Sequence, residues 1–202
     1  PLDEPVLLDI DTDFLLEEPF ESARDSKDLW TQLPWLWPEG LVERLNAKGV
    51  RRDFVTIAYS VNGGFTPLSY KYLGDELALR LRHPALPARE REALGHKQRG
   101  AGHRSRDELD QAVSGFEQAL DVVPEDASTH FNLAYLYEQQ GQHQRAVSHY
   151  RRATRLDPSY ACRDNNFGPV YHSQGALDKA RAEYQRILRW DPQHLDAHEG
   201  LA

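Results

Sequence analysis

One spacing constrains this chain more than any other feature: an interval of 34 residues that recurs through its C-terminal half. Pro124, Pro158 and Pro192 lie 34 apart, as do Ala112, Ala146 and Ala180, and Phe116, Tyr150 and Tyr184. Ala119, Ala153 and Ile187 keep the same interval. Gly141 pairs with Gly175, Tyr137 with Tyr171, and Asp157-Pro158 with Asp191-Pro192. A period of this length predicts a stack of helical hairpins. The small alanines let two helices approach closely, and the aromatic residues fill the space between neighbouring pairs. Glycine at the interhelix turn suits a helix C-cap, where φ is often positive. Asp-Pro ends a unit, because the residue before proline is driven out of the helical region. One hairpin cannot bury its own apolar face, so it must stack on others.

The period places full repeats at 127–160 and 161–194, a partial helix from Leu195, and an upstream second helix over 107–122. The partner expected near 93–105 departs from the pattern at Arg99, Gly100 and Gly102, so residues 83–106 read as a degenerate capping helix or a basic linker. Pro169 falls inside an expected helix and should kink it or delay its start.

At Phe131-Asn132-Leu133-Ala134-Tyr135-Leu136-Tyr137-Glu138-Gln139-Gln140-Gly141 the chain resembles the tetratricopeptide repeat (TPR) family. The resemblance implies an all-α TPR solenoid over 107–202 that binds a protein or peptide in a groove lined by the first helix of each hairpin. By that pattern the groove residues are Phe131, Tyr135, Glu138 and Gln139 in one repeat, and Asn165, Pro169 and His172 in the next. Members that clamp a terminal carboxylate do so with Lys, Asn and Arg. Here those positions hold mostly Phe131, Tyr135, Cys162 and Asn166, which implies a partner read by other means. The alternative is a scaffold that packs on its own enzyme-like domain.

Charge divides the chain further. The net charge of −8 over 202 residues argues against nucleic acid as a general partner. Residues 1–82 carry 15 acids and 9 bases, residues 83–106 carry 2 and 6, and residues 107–202 carry 15 and 9. A basic strip thus separates two acidic blocks and sets the first expected boundary at 82. No run of about 18 apolar residues predicts a membrane span, no signal peptide is visible, and the single Cys162 cannot form an internal disulfide. The expectation is a cytoplasmic protein. With no Met, an acidic start and an end inside a helical pattern, the chain reads as a piece cut at both ends.

The N-terminal block carries the candidate chemistry. Val6 to Phe14 reads as a short buried strand running into acids, and strand alternation directs Asp9, Asp11 and Asp13 to one side. Like charges so close call for a neutralising cation, and carboxylates suit a divalent metal. Their place at the C-terminal end of the strand is where sites form in open α/β sheets. The competing reading makes one acid a turn or cap residue and leaves the others solvated. A second strand, Asp53 to Ser60, leads into Val61-Asn62-Gly63-Gly64-Phe65-Thr66-Pro67. Helices are expected over Pro38 to Lys48 and Leu68 to Leu81. A helix between two strands predicts a parallel pair in an α/β domain. Two strands are too few to stand alone, so further strands are expected before Pro1.

Asp9-Ile10-Asp11 closing one strand and Gly63-Gly64-Phe65-Thr66 after the next resemble the arginase-like metallohydrolase superfamily of ureohydrolases and deacetylases. Thr56-Ile57-Ala58 and Thr66-Pro67 resemble an uncharacterised arginase-like family more closely. The likeness covers residues 5–82 and implies the C-terminal part of an α/β domain. It also implies Mn or Zn held by Asp9 and Asp11, with Asp13 as a ligand or a neighbour, and hydrolysis of a C–N bond. The glutamate that ureohydrolases place shortly after Gly-Gly-x-Thr is replaced by Pro67, Leu68, Ser69 and Tyr70, so guanidinium recognition is not implied. A degenerate, non-catalytic domain is the alternative.

Three further stretches stand out. The aromatic run Trp30 to Pro38 either shelters a substrate or packs against the fold. Arg89 to Arg106 is a solvated linker or a surface for an acidic partner. His194 and His198, four apart on a helix, share a metal or are surface residues.

Overall fold

The computed structural model describes residues 5–16, 33–59, 68–160, 168–173, 175–190, 192–193 and 195–202. Residues 1–124 and 125–202 form two compact units.

In the first unit, β1 (Leu7–Asp11) pairs in parallel with β2 (Phe54–Ala58), Leu7 opposite Phe54 and Asp11 opposite Ala58. A parallel pair needs a crossover, and α1 (Pro38–Ala47) supplies it. Pro38 opens α1, where a fixed φ and a missing N–H are tolerated. Gly49, at φ 61°, follows its last turn. A 3₁₀ turn over Leu68–Tyr70 leads into α2 (Tyr72–Arg82). Ile10, Val42 and Leu77 form one core, with Leu8, Val55 and Ile57 packed against it, so the inner face of the strand pair rests on α1 and α2. Complete burial of each such side chain stabilises the fold by roughly 1.5–3 kcal/mol.

A second core joins Leu15, Leu16, Leu36, Tyr70, Tyr72 and Leu73, with Trp35 and Trp37 against it. The Trp35 indole N–H donates to the Phe14 carbonyl at 2.5 Å, and the two rings meet edge-on at 5.1 Å. The described part of the aromatic run therefore packs against the fold; Trp30 itself lies outside the described residues.

The basic strip is not a solvated linker. It forms α3 (Ala88–Ser105), an eighteen-residue helix that pairs with α4 (Leu109–Val122). Ala93, Leu94, Lys97, Gly100, Ala101 and Arg104 are buried at helical spacing along one side of α3. The Lys97 ammonium lies over the Tyr72 ring at 5.8 Å and the Arg104 guanidinium over the Tyr70 ring at 4.8 Å. Such cation–π contacts help to hold two cations on a buried helix side. Gly100 and Gly115 are where α3 and α4 meet. A Cβ on Gly115 would stand 2.8 Å from the Gly100 backbone, and one on Gly100 would stand 2.9 Å from the Phe116 ring. The glycines that made residues 93–105 look poorly suited to a repeat helix are the residues that allow this close approach.

In the second unit, α5 (Ala127–Gln139) and α6 (His143–Leu156) form a hairpin. Asp126 caps α5, its carboxylate accepting from the Thr129 N–H at 2.7 Å. Gly141, at φ 70°, makes the turn, and Gly175, at φ 69°, makes the equivalent turn one period later. A 3₁₀ turn over Pro158–Tyr160 follows α6, with the Asp157 carboxylate accepting from the Ser159 N–H at 2.9 Å. Phe131 packs with Tyr150 and Tyr160 at ring separations of 5.3 and 5.2 Å. Beyond it, α7 (Gly168–Ser173) pairs with α8 (Leu177–Trp190), and α9 (Leu195–Glu199) follows. Pro169 occupies the first turn of α7 as described, a position that needs no proline N–H. No helix among the described residues is long and apolar enough to cross a membrane.

Candidate functional site

The sequence singles out two places for function, and the structure builds them differently. At the first, β1 alternates as expected: Ile10 is buried, and Asp9 and Asp11 are exposed on the other side. Asp13 does not share that alternation, because the strand ends at Asp11 and Asp13 lies in a 3₁₀ turn over Thr12–Leu15. The Thr56 hydroxyl, directly across the ladder, donates to the Asp9 carboxylate. Thr12 is buried and its hydroxyl donates to the Tyr59 carbonyl at 2.9 Å, which ties the ends of both strands together. Among the described residues no group of three His, Cys, Asp or Glu side chains gathers as a metal site. Asp9 and Asp11 alone are two carboxylates, fewer ligands than a Mn or Zn site uses. The Gly63-Gly64 loop lies outside the described residues.

At the second, α5 turns its residues by helical geometry. Leu133, Ala134 and Tyr137 are buried, while Glu138 and Gln139 are exposed and Tyr135 is half-buried. Phe131 is buried at 4% exposure, so of the four expected groove residues in this repeat it serves the packing of the hairpin. Glu138 accepts from the Tyr150 hydroxyl at 3.1 Å, which links the end of α5 to α6. His172 is exposed on α7, whereas Asn165, Asn166, Cys162 and His194 lie outside the described residues.

Sequence reading missed two clusters. One is buried in the first unit around Glu76, whose carboxylate accepts from the Arg80 guanidinium at 2.7 Å. Its other oxygen and the Tyr72 hydroxyl have no hydrogen-bond partner among the described residues. Burial pushes the Glu76 carboxyl above its usual range despite the opposing pull of Arg80 and Lys97, and burial likewise pushes the Tyr72 hydroxyl up. The Asp53 carboxylate, by contrast, is held low by the Val6 N–H that donates to it, with Arg51 adding to the effect. The other cluster pairs His130 on α5 with His149 on α6, Nδ1 to Nδ1 at 3.0 Å. His130 lies 11 residues before Gly141 and His149 lies 8 after it, so a hairpin turn there was the available signal.

Against known proteins, residues 100–161 match a family model described as tetratricopeptide repeat, and residues 165–194 match a second model with the same description. Residues 100–161 and 165–194 are thus similar to tetratricopeptide repeats. A search of curated proteins finds no match. Among solved structures, the Arabidopsis OM64 TPR domain is 17% identical, over 56% of this chain and 94% of that one, with a TM-score of 0.45. The first TPR of Spaghetti (RPAP3), bound to the HSP90 peptide SRMEEVD, is 23% identical over 55% and 88%, with a TM-score of 0.45. The second TPR domain of human RPAP3, in complex with the HSP70 peptide SGPTIEEVD, is 21% identical over 56% and 95%, with a TM-score of 0.46.

Proposed function

We propose that this chain is a protein-interaction module whose repeat hairpins hold a peptide segment of a partner protein. The observation that carries the reading is the division of α5. Ser128, Thr129, Phe131 to Ala134, Leu136 and Tyr137 are buried, and the half-buried Tyr135, with the exposed Glu138 and Gln139 three and four residues on, is what its last turn leaves open. Tyrosine offers contact area at small entropic cost, and Gln offers paired donor and acceptor groups to an extended backbone. His172, on the first helix of the next repeat, is the corresponding candidate there. The positions that would form a cationic clamp hold Phe131 and Tyr135, so recognition of a terminal carboxylate is not part of the proposal.

The test is selection from a displayed library of random dodecapeptides on the full chain. Recovered peptides should bind Tyr135→Ala and Gln139→Ala variants more weakly than the parent. They should bind equally well with a free or an amidated C-terminus, and SRMEEVD should not compete. Recovery of no peptide, or binding indifferent to both substitutions, sinks the proposal.

A second reading, divalent metal at the N-terminal strand, draws on the placement of Asp9 and Asp11 together on the exposed side of a parallel strand. Mn or Zn there would act as a Lewis acid in hydrolysis of a C–N bond. No step is assigned to it, because the two carboxylates do not complete a site. Metal analysis of the chain after growth with Mn and Zn, beside Asp9→Ala and Asp11→Ala variants, tests it. Metal retained by the parent and lost in both variants supports the reading, and a metal-free parent removes it.

A further inference from the structure

We propose that His96 and Arg99, on the exposed side of α3, bind the side-chain carboxylate of a glutamate or aspartate in an acidic segment of a partner protein. The proposal stands apart from the residues of α5, since α3 belongs to the first unit. What carries it is a duplication inside α3. Gly95-His96-Lys97-Gln98-Arg99 recurs seven residues later as Gly102-His103-Arg104-Ser105-Arg106. Seven residues make nearly two helical turns, so the two sets share one side of the helix about 10 Å apart. Lys97 and Arg104 are buried, whereas each histidine is half-buried and Arg99 and Arg106 are exposed.

The two sets are built alike. Arg99 Nη2 lies 2.8 Å from His96 Nδ1, and Arg106 Nη2 lies 3.1 Å from His103 Nδ1. Each guanidinium lies back over the glycine four residues before it: a Cβ on Gly95 would stand 3.5 Å from Arg99 Nη1, and one on Gly102 would stand 3.7 Å from Arg106 Nη1. The second set already holds a carboxylate. Asp107, at φ 59°, reverses the chain after α3 and brings Glu108 back. Glu108 Oε2 accepts from His103 Nδ1 at 2.6 Å and from Arg106 Nε at 3.1 Å, with Arg106 Nη2 at 3.0 Å. Arg106 first, and His103 after it, hold the Glu108 carboxyl below its usual range. Over the first set the helix runs on, so no chain reversal brings an acid there. Among the described residues no carboxylate pairs with His96 or Arg99.

Glu108 therefore shows what the first set can take: one carboxylate, met by an imidazole N–H and a guanidinium. The Arg99 guanidinium now donates to His96 Nδ1, which places the imidazole proton on Nε2. When a carboxylate enters, Arg99 donates to it instead, and exchange with water moves the imidazole proton from Nε2 to Nδ1. Charge favours an acidic segment, since no acid occurs between Ala93 and Arg106. A protein segment suits this small stripe better than nucleic acid, whose long phosphate backbone would also meet a chain of net charge −8.

The test uses the full chain at pH 7.5 and low salt. The probe is an octapeptide of alternating Gly and Glu with both ends blocked, and its Gly-Gln counterpart is the control. On the unsubstituted chain, NMR of the arginine Nε–H groups should show Arg99 moving with the Glu peptide, but not with the Gln peptide, while Arg106 stays in place. The His96 Nδ1 signal should change from that of a bare acceptor to that of an N–H. Arg99→Gln should weaken binding about three- to five-fold. Arg91→Gln removes the same charge from an exposed position on α3 with no imidazole beside it, and should weaken binding less than about two-fold. Glu108→Ala should open the second set, so that Arg106 then moves as well. An unmoved Arg99, an equal response to the Gln peptide, equal losses from Arg91→Gln and Arg99→Gln, or an Arg106 that stays still in Glu108→Ala overturns the proposal. A stronger Arg99 response to a single-stranded RNA octamer than to the Glu peptide overturns the choice of partner.

Discussion

The hairpins α3–α4 and α5–α6 are one repeat period apart and meet the same packing demand with different residues. In α3–α4 the backbones nearly touch: Gly115 faces Gly100, and the Phe116 ring covers Gly100. In α5–α6 the space is filled by rings, Phe131 between Tyr150 and Tyr160. The period shows how directly one replaces the other, since Phe116 and Tyr150 are equivalent and Gly115 stands where His149 stands a period later. His96 and His130 are equivalent too, yet only the later hairpin has the second imidazole. A backbone contact at Gly115 excludes any side chain. Where the helices part enough to admit one, a polar pair can occupy the gap. A repeat pattern thus fixes where helices meet, while the residue at the crossing decides how closely.

Five substitutions break or sharpen this contrast. The largest effect belongs to Phe131→Ala. Removal of a buried ring from an aromatic cluster should cost about 3–5 kcal/mol, read as a lower urea midpoint of the transition that includes α5 and α6. A loss near zero would mean that this hairpin is not held by its rings. Next is Gly115→Ala, which forces a methyl group into the Gly100 backbone and should cost about 1–3 kcal/mol by the same measurement. The matching change His149→Ala should not show that overpacking, and an equal loss from both would erase the distinction.

Smaller again is Gly141→Ala. A Cβ there meets open space, so only the positive φ opposes it, at about 1–2 kcal/mol. The smallest effect is a slope. The folded state holds the Glu76 proton more tightly than the unfolded state does, so the folded protein binds more protons between the ordinary carboxyl range and the raised value. Its contribution to stability therefore declines as pH rises through that window. Glu76→Gln keeps an acceptor for Arg80 and should flatten the decline, seen as a wild-type minus variant difference in urea stability that changes with pH. A constant difference would mean that Glu76 titrates normally.

Much of the helical half was legible in the sequence. Glycines at turns need a positive φ, Asp-Pro needs an extended residue, and alanines at one interval need close neighbours. These are local demands, and Gly141, Gly175, Asp157 and Ala146 meet them where expected. The parallel pairing of β1 and β2 was legible for a similar reason, as α1 lies between two apolar runs of strand length. Less legible was Asp13, because strand alternation holds only while the strand lasts, and it ends at Asp11.

By itself, the sequence determined the period, the places where helices stop, and which side of each helix is apolar. Only the tertiary structure decided which polar residues are buried and what they meet. Lys97 and Arg104 sit in a basic stretch that composition assigns to solvent, yet the rings of Tyr72 and Tyr70 receive them. Phe131 falls on the expected groove side, yet packing claims it. His130 and His149 carry no shared motif and meet only because a turn at Gly141 folds one helix back upon the other. Local conformation depends on neighbours in the chain, whereas burial and pairing depend on residues brought from far along it.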